Sequence, residues 1–134
     1  MELPITAIVT AACALLLLGT AIDTVRQRLR LKVAFGDAGD GRLISASRSH
    51  ANLAEHAPVV ILMLGLLEMS DASQTALIGF GAVFLIGRVA HVIGLYTPSK
   101  PGQAPIPRQI GVISTCLTLA GLSIWILWIL FGTV

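Results

Sequence analysis

Four apolar runs, at approximately 4–25, 50–69, 74–96 and 109–131, alternate with short polar connections along the 134 residues. Each run is close to the roughly 20 residues needed to cross about 30 Å of hydrocarbon. Almost no chain is left over, so the pattern predicts one all-α integral membrane domain over 1–134, a bundle of four transmembrane helices. Composition agrees. Charged residues make up 12% of the chain, against about 25% in an ordinary soluble domain, and the mean hydropathy is +0.86.

The first run differs from a cleaved leader. It opens with Glu2 rather than a basic residue and leads into Asp23 and a basic cluster instead of a small-residue cleavage site, so it reads as a retained span. Its end, Val25 to Lys32, is expected to continue as helix out of the bilayer, with snorkelling arginines. Phe35 to Arg42 reads as a turn-rich loop. Pro58 is expected to bend span 2, since it cannot donate to the carbonyl of Ala54. Asp71 or Ser73 is expected to cap span 3, whose glycines allow neighbouring helices to approach closely. The segment from Pro98 to Pro107 carries too many prolines for a helix and delivers Arg108 at the start of span 4.

Basic residues are unevenly distributed. Arg26, Arg28, Arg30, Lys32, Arg42 and Arg48 follow span 1, and Lys100 and Arg108 follow span 3, whereas the link between spans 2 and 3 offers only Glu68 and Asp71. The positive-inside rule then puts the first and third connections in the cytoplasm and both termini on the opposite side. Basic residues without aromatic interleaving give no case for nucleic acid. Cys13 and Cys116 fall deep in spans 1 and 4, which suits packing rather than a disulfide, and no metal-ligand spacing is present. Trp125 and Trp128 fit an aromatic belt at the far end.

The informative departure from apolarity lies at the head of span 2. At about 100° per residue, Arg48, Asn52 and Glu55 fall in a sector about 60° wide on one helix face. Span 3 adds Arg88, His91 and Tyr96 toward the same end, and span 4 opens with Arg108. Ionisable groups inside a membrane span point to function. Several arginines beside one carboxylate make a pocket with positive excess, in which Glu55 is expected to pair with an arginine. A remaining guanidinium suits a carboxylate ligand, Asn52 suits a peptide-like group, and Glu55 can read an ammonium. A thiol ligand is activated by an adjacent cation, because only the thiolate is nucleophilic, and Arg108 is placed for that.

Arg48-x3-Asn52-x2-Glu55-x2-Pro58, then Arg88-x2-His91 and Tyr96, then Arg108, together resemble the MAPEG family, membrane-associated proteins in eicosanoid and glutathione metabolism. The short loops and the Gly-Asp-rich first connection look like its bacterial branch, which implies the bacterial inner membrane. The resemblance implies a homotrimer that binds glutathione, as co-substrate, between neighbouring subunits near the cytoplasmic side. By motif match Arg48, Asn52 and Glu55 contact glutathione, Arg88, His91 and Tyr96 line the pocket, and Arg108 stabilises the thiolate. A span 1 arginine also contributes, Arg26 or, one turn on, Arg30. No metal is implied.

The leading expectation is thus a glutathione-dependent membrane transferase or peroxidase acting on a small lipophilic electrophile or lipid hydroperoxide that arrives through the membrane lipids. Two other classes stay open. One is a small proton-coupled multidrug exporter using Glu55, disfavoured by the neighbouring arginines and the scarcity of aromatic residues. The other is a non-catalytic scaffold in which an Arg–Glu pair only holds subunits together. In blander readings Arg108 is the interfacial anchor of span 4, His91 bonds across helices, and His50 is interfacial.

Overall fold

The computed structural model describes residues 2–100 and 102–132, which form four helices: α1 (Pro4–Leu31), α2 (Gly41–Met69), α3 (Gln74–Tyr96) and α4 (Ile106–Phe131). All four are long and apolar enough to span a membrane. α2 and α3 form the centre: α1 lies against α2 and α3, α4 against α3 and α2, and α1 does not touch α4. The antiparallel order brings the end of α1, the start of α2, the end of α3 and the start of α4 to one end of the bundle, here called the Arg108 end.

α1 does continue to Leu31, where Lys32 closes it in the left-handed region at φ 55°. The turn-rich loop is confined to residues 32–40. α2 starts well before the apolar run, because the Asp40 side chain caps it by accepting from the Leu43 amide at 2.9 Å. Leu43 and Ala46 are then fully buried in that first part of α2, while its serines lower hydropathy without breaking the helix. Asp40 is held further by Arg30 at 2.7 Å. These two partners, the amide first, keep the Asp40 carboxyl below the usual carboxylate range.

At the opposite end Glu68 belongs to the last turn of α2 rather than to the link. Its carboxylate accepts from the amides of Ile5 and Thr6, both at 2.8 Å, and from the Thr6 hydroxyl at 2.6 Å. It therefore caps α1, which has no side-chain cap of its own. The expected side-chain cap of α3 does not form: Ser73 holds the cap position by its backbone alone, and Asp71 adopts φ 54° in the turn. α4 begins at Ile106, with Pro107 tolerated in the first turn where no amide is needed. Pro101, in the preceding proline-rich segment, lies outside the described residues.

The interior changes character along the bundle axis. Val9, Cys13, Val60, Leu64, Leu67, Leu77, Phe84 and Leu122 form an apolar core, flanked by Phe80 tilted against Trp125 with centroids 6.1 Å apart. Toward the Arg108 end, polar Ser49, Arg88, His91, Ser114 and Thr115 are buried alongside Leu43, Ala46 and Leu53. Cys13 is buried as expected, but Cys116 is exposed on the outer surface of α4, and both are free thiols.

α3 and α4 touch through glycine. A Cβ on Gly94 would lie 2.6 Å from the Cα of Arg108, and one on Gly111 would lie 2.7 Å from the Gly87 carbonyl oxygen and 2.8 Å from the His91 Cα. No larger residue fits at these positions without separating the helices, so the start of α4 is seated directly on the last turns of α3.

Candidate functional site

The seven residues that the sequence singles out on spans 2, 3 and 4 separate into an interior set and a surface set. Arg88 is 2% exposed and faces the bundle interior. Its Nη1 donates to Asn52 Oδ1 on α2, and its Nη2 donates to the Gly111 carbonyl at 2.6 Å and to Thr115 Oγ1 on α4. The guanidinium also lies over the Phe84 ring, 5.6 Å from its centroid. Among the described residues no carboxylate is bonded to it. The buried cation is held instead by neutral acceptors and an aromatic face, and its Nε is left without a partner.

His91, one turn on, is buried against Gly111. Among the described residues its Nδ1 meets no hydrogen-bond partner, although the ring lies close to the Arg108 backbone. The Gly111 carbonyl is a shared acceptor, taking Arg88, the Thr115 hydroxyl at 2.8 Å and the Ser114 hydroxyl at 3.1 Å. Asn52, Arg88, His91, Gly111 and Thr115 thus form one polar plug that joins α2, α3 and α4 three residues from Arg108.

Arg48 and Glu55 lie elsewhere. Both are exposed on the outer surface of α2. The pairing expected for Glu55 does not form within the subunit: the ion pair among the described residues is Arg30 with Asp40. The reason is geometric. Asn52 stands at one edge of the sector and turns inward to Arg88, whereas Arg48 and Glu55 lie about 40° and 60° further round the helix and stay outside. Arg108 is also exposed and opens onto a cleft of about 730 Å³ lined by Ser99, Lys100, Gln103, Gln109 and Val112. Its lining combines the cations Lys100 and Arg108 and the amides Gln103 and Gln109 with the apolar Val112 and Ile113 one turn into α4.

Tyr96 is directed to α1, where its hydroxyl donates to Asp23 Oδ2 while Gln27 Nε2 donates to Asp23 Oδ1 at 3.0 Å. The two span 1 candidates are also distinguished: Arg30 is engaged with Asp40, and Arg26 is exposed. His50 meets Thr20 Oγ1 at 3.3 Å, and His56 Nδ1 meets the Asn52 carbonyl at 2.7 Å.

Sequence reasoning overlooked Thr115, Gly111, Asp23 and Glu68. A signal was available for the first two, since Arg108, Gly111 and Thr115 lie at i, i+3 and i+7 on one face of span 4. For Asp23 and Glu68 the signal was a charge inside the apolar runs 4–25 and 50–69, which does not identify partners so distant in sequence.

Comparison with known proteins matches residues 6–128 to the family model for MAPEG. The chain belongs to the MAPEG family. Relatives include Inner membrane protein YecN of Escherichia coli strain K12, 36% identical over 92 residues that cover 69% of this chain and 70% of that one. The protein of the same name from strain O6:H1 CFT073 matches equally. No solved structure is a significant match. Four helices of membrane-spanning length accord with the membrane helical bundle of MAPEG proteins, so this is an integral membrane protein.

Proposed function

We propose that this MAPEG protein is a glutathione-dependent transferase or peroxidase of the bacterial inner membrane, acting on lipophilic electrophiles or lipid hydroperoxides. The observation that carries the reading is the set of exposed, unpaired charges Arg48, Glu55 and Arg108 on helices of lipid-spanning length. Glu55 lies inside the apolar run 50–69, where a carboxylate facing hydrocarbon is costly, and Arg48 and Arg108 stand at the run boundaries beside it. A ligand and a neighbouring subunit that cover this surface relieve that cost, which fits a homotrimer with the site between subunits. The basic connections favour a cytoplasmic position for the Arg108 end.

The residue chemistry suits glutathione. Arg48 offers planar donors to a carboxylate, Glu55 accepts from the γ-glutamyl ammonium, and Arg108 lies beside a thiolate. Asn52, Arg88 and His91 then act by fixing the seam on which Arg108 stands. In conjugation the thiolate sulfur forms a bond to the electrophilic carbon, whose leaving group or opened oxygen takes the electron pair. In peroxide reduction two glutathiones are oxidised to one disulfide while the hydroperoxide yields an alcohol and water.

Turnover of an aryl halide with glutathione by purified protein tests the reading. Wild type is expected to form the thioether, and Arg108→Ala to lower kcat by about tenfold or more at neutral pH. The deficit should shrink as pH rises toward the ordinary thiol pKa of about 8.5, where the thiolate forms unaided. Equal kcat in wild type and variant across that range overturns the role of Arg108.

A further inference from the structure

The end of α1 has two unlike faces. Asp23, Gln27 and Arg30, at i, i+4 and i+7, turn toward the bundle and meet Tyr96 and Asp40. Val25, Arg28, Leu29 and Lys32, at i, i+3, i+4 and i+7, form the opposite stripe. Val33 and Ala34 fold back beside that stripe to close a groove of about 410 Å³.

Specific contacts build the fold-back. Lys32 takes the left-handed conformation, the Val33 amide donates to the Arg28 carbonyl at 3.1 Å, and Arg28 Nη1 donates to the carbonyls of Ala34 at 3.0 Å and Gly36 at 3.2 Å. The turn leaves Phe35 90% exposed, and Leu29 on the stripe is 72% exposed. Counted from Pro4, about 20 residues span the hydrocarbon, which ends near Asp23, so this corner lies at the headgroup layer. Residues 24–36 hold Arg26, Arg28, Arg30 and Lys32 and no acid, and among the described residues only Arg30 is within ion-pair distance of a carboxylate.

We infer that this corner is a binding site for an anionic phospholipid, with its phosphate against Arg28 and Lys32 and an acyl chain along Val25, Leu29 and Val33. Charge complementarity selects the anionic headgroup. The apolar wall, continuous with the exposed Leu18 and Ile22 further down α1, selects a lipid over a free phosphate. A second copy packed face to face here would bring like charges together.

The test is native mass spectrometry of the delipidated full-length protein in detergent, titrated with phosphatidylglycerol or phosphatidylcholine. Phosphatidylglycerol is expected to bind about tenfold more tightly, and Lys32→Asn to cut that preference by about fivefold. Asparagine accepts the left-handed backbone, and Arg28 still holds the two carbonyls, so this variant retains the turn. Equal retention of the two lipids by wild type overturns the site, as does a preference that Lys32→Asn leaves unchanged. Displacement of bound lipid by millimolar glycerol phosphate also overturns it, in favour of a simple anion site.

Discussion

Arg88 and Gly111 are joined across the α3–α4 seam, Nη2 donating to the carbonyl at 2.6 Å within a set of three donors that share one acceptor. Arg88 is the member that also reaches α2, through Asn52. Arg88→Ala is therefore expected to lower stability by about 2–4 kcal/mol, since it removes three bonds and leaves Asn52 without its donor. Arg88→Lys should recover only part, because a point charge cannot serve acceptors on two helices at once. Unfolding titrations in mixed detergent measure both variants; a loss below about 0.5 kcal/mol for Arg88→Ala contradicts the seam.

The glycine contacts give a prediction with an internal control. Gly94→Ala and Gly111→Ala each push a methyl into backbone and should cost about 1–3 kcal/mol by forcing the helices apart. Gly79→Ala, where a Cβ meets nothing within 4 Å, should be neutral or stabilising by about 0.5–1 kcal/mol through helix propensity. Melting temperatures of the three variants decide it, and equal effects would contradict the close approach.

Glu68 predicts a local effect at the other end. Glu68→Ala removes the acceptor for the Ile5 and Thr6 amides and should cost about 1–2 kcal/mol, as loss of a helix cap does. Hydrogen exchange should accelerate at those two amides while protection around Gly111 is unchanged. Unchanged exchange at Ile5 and Thr6 counts against the cap.

Asp40 carries a pH dependence with a defined sign. Its carboxyl titrates below the ordinary value of 3.8 in the folded protein, so the folded state binds fewer protons. The stabilisation is fully present above about pH 4 and is lost as pH falls through the lowered folded value. Asp40→Asn, which keeps a capping oxygen but not the charge, should flatten the stability curve below pH 4. The same slope in wild type and variant would assign the acid loss to other carboxylates.

Much of this architecture is legible in the sequence, because lipid makes apolar run length a strong constraint: α3 matches its expected bounds, and α1 extends as its basic end suggests. The apolar run 50–69 understates α2, Gly41–Met69, for a physical reason. Its first turns carry Ser45, Ser47 and Ser49 with Arg42 and Arg48, which hydropathy scores as a loop, whereas the Asp40 cap and the buried Leu43 and Ala46 make a helix. At the site, the spacing of Arg48, Asn52 and Glu55 puts them in one helical sector of α2. A 60° sector is nonetheless wide enough to straddle an interior boundary, so Asn52 faces Arg88 while its neighbours face outward. Partner choice was the illegible part. Tyr96 with Asp23 and Glu68 with the start of α1 depend on helix-to-helix register, which no local spacing encodes.

The most direct measurement is isothermal titration of glutathione into detergent-purified protein, comparing wild type with Arg48→Ala. Among the described residues the exposed Arg48 side chain has no hydrogen bond or ion pair, so the variant should fold normally. Saturable binding weakened about tenfold, or about 1.4 kcal/mol, by the substitution is expected if the exposed charged face receives the tripeptide. Absence of binding to well-folded wild type, or equal affinity in the two proteins, would contradict it.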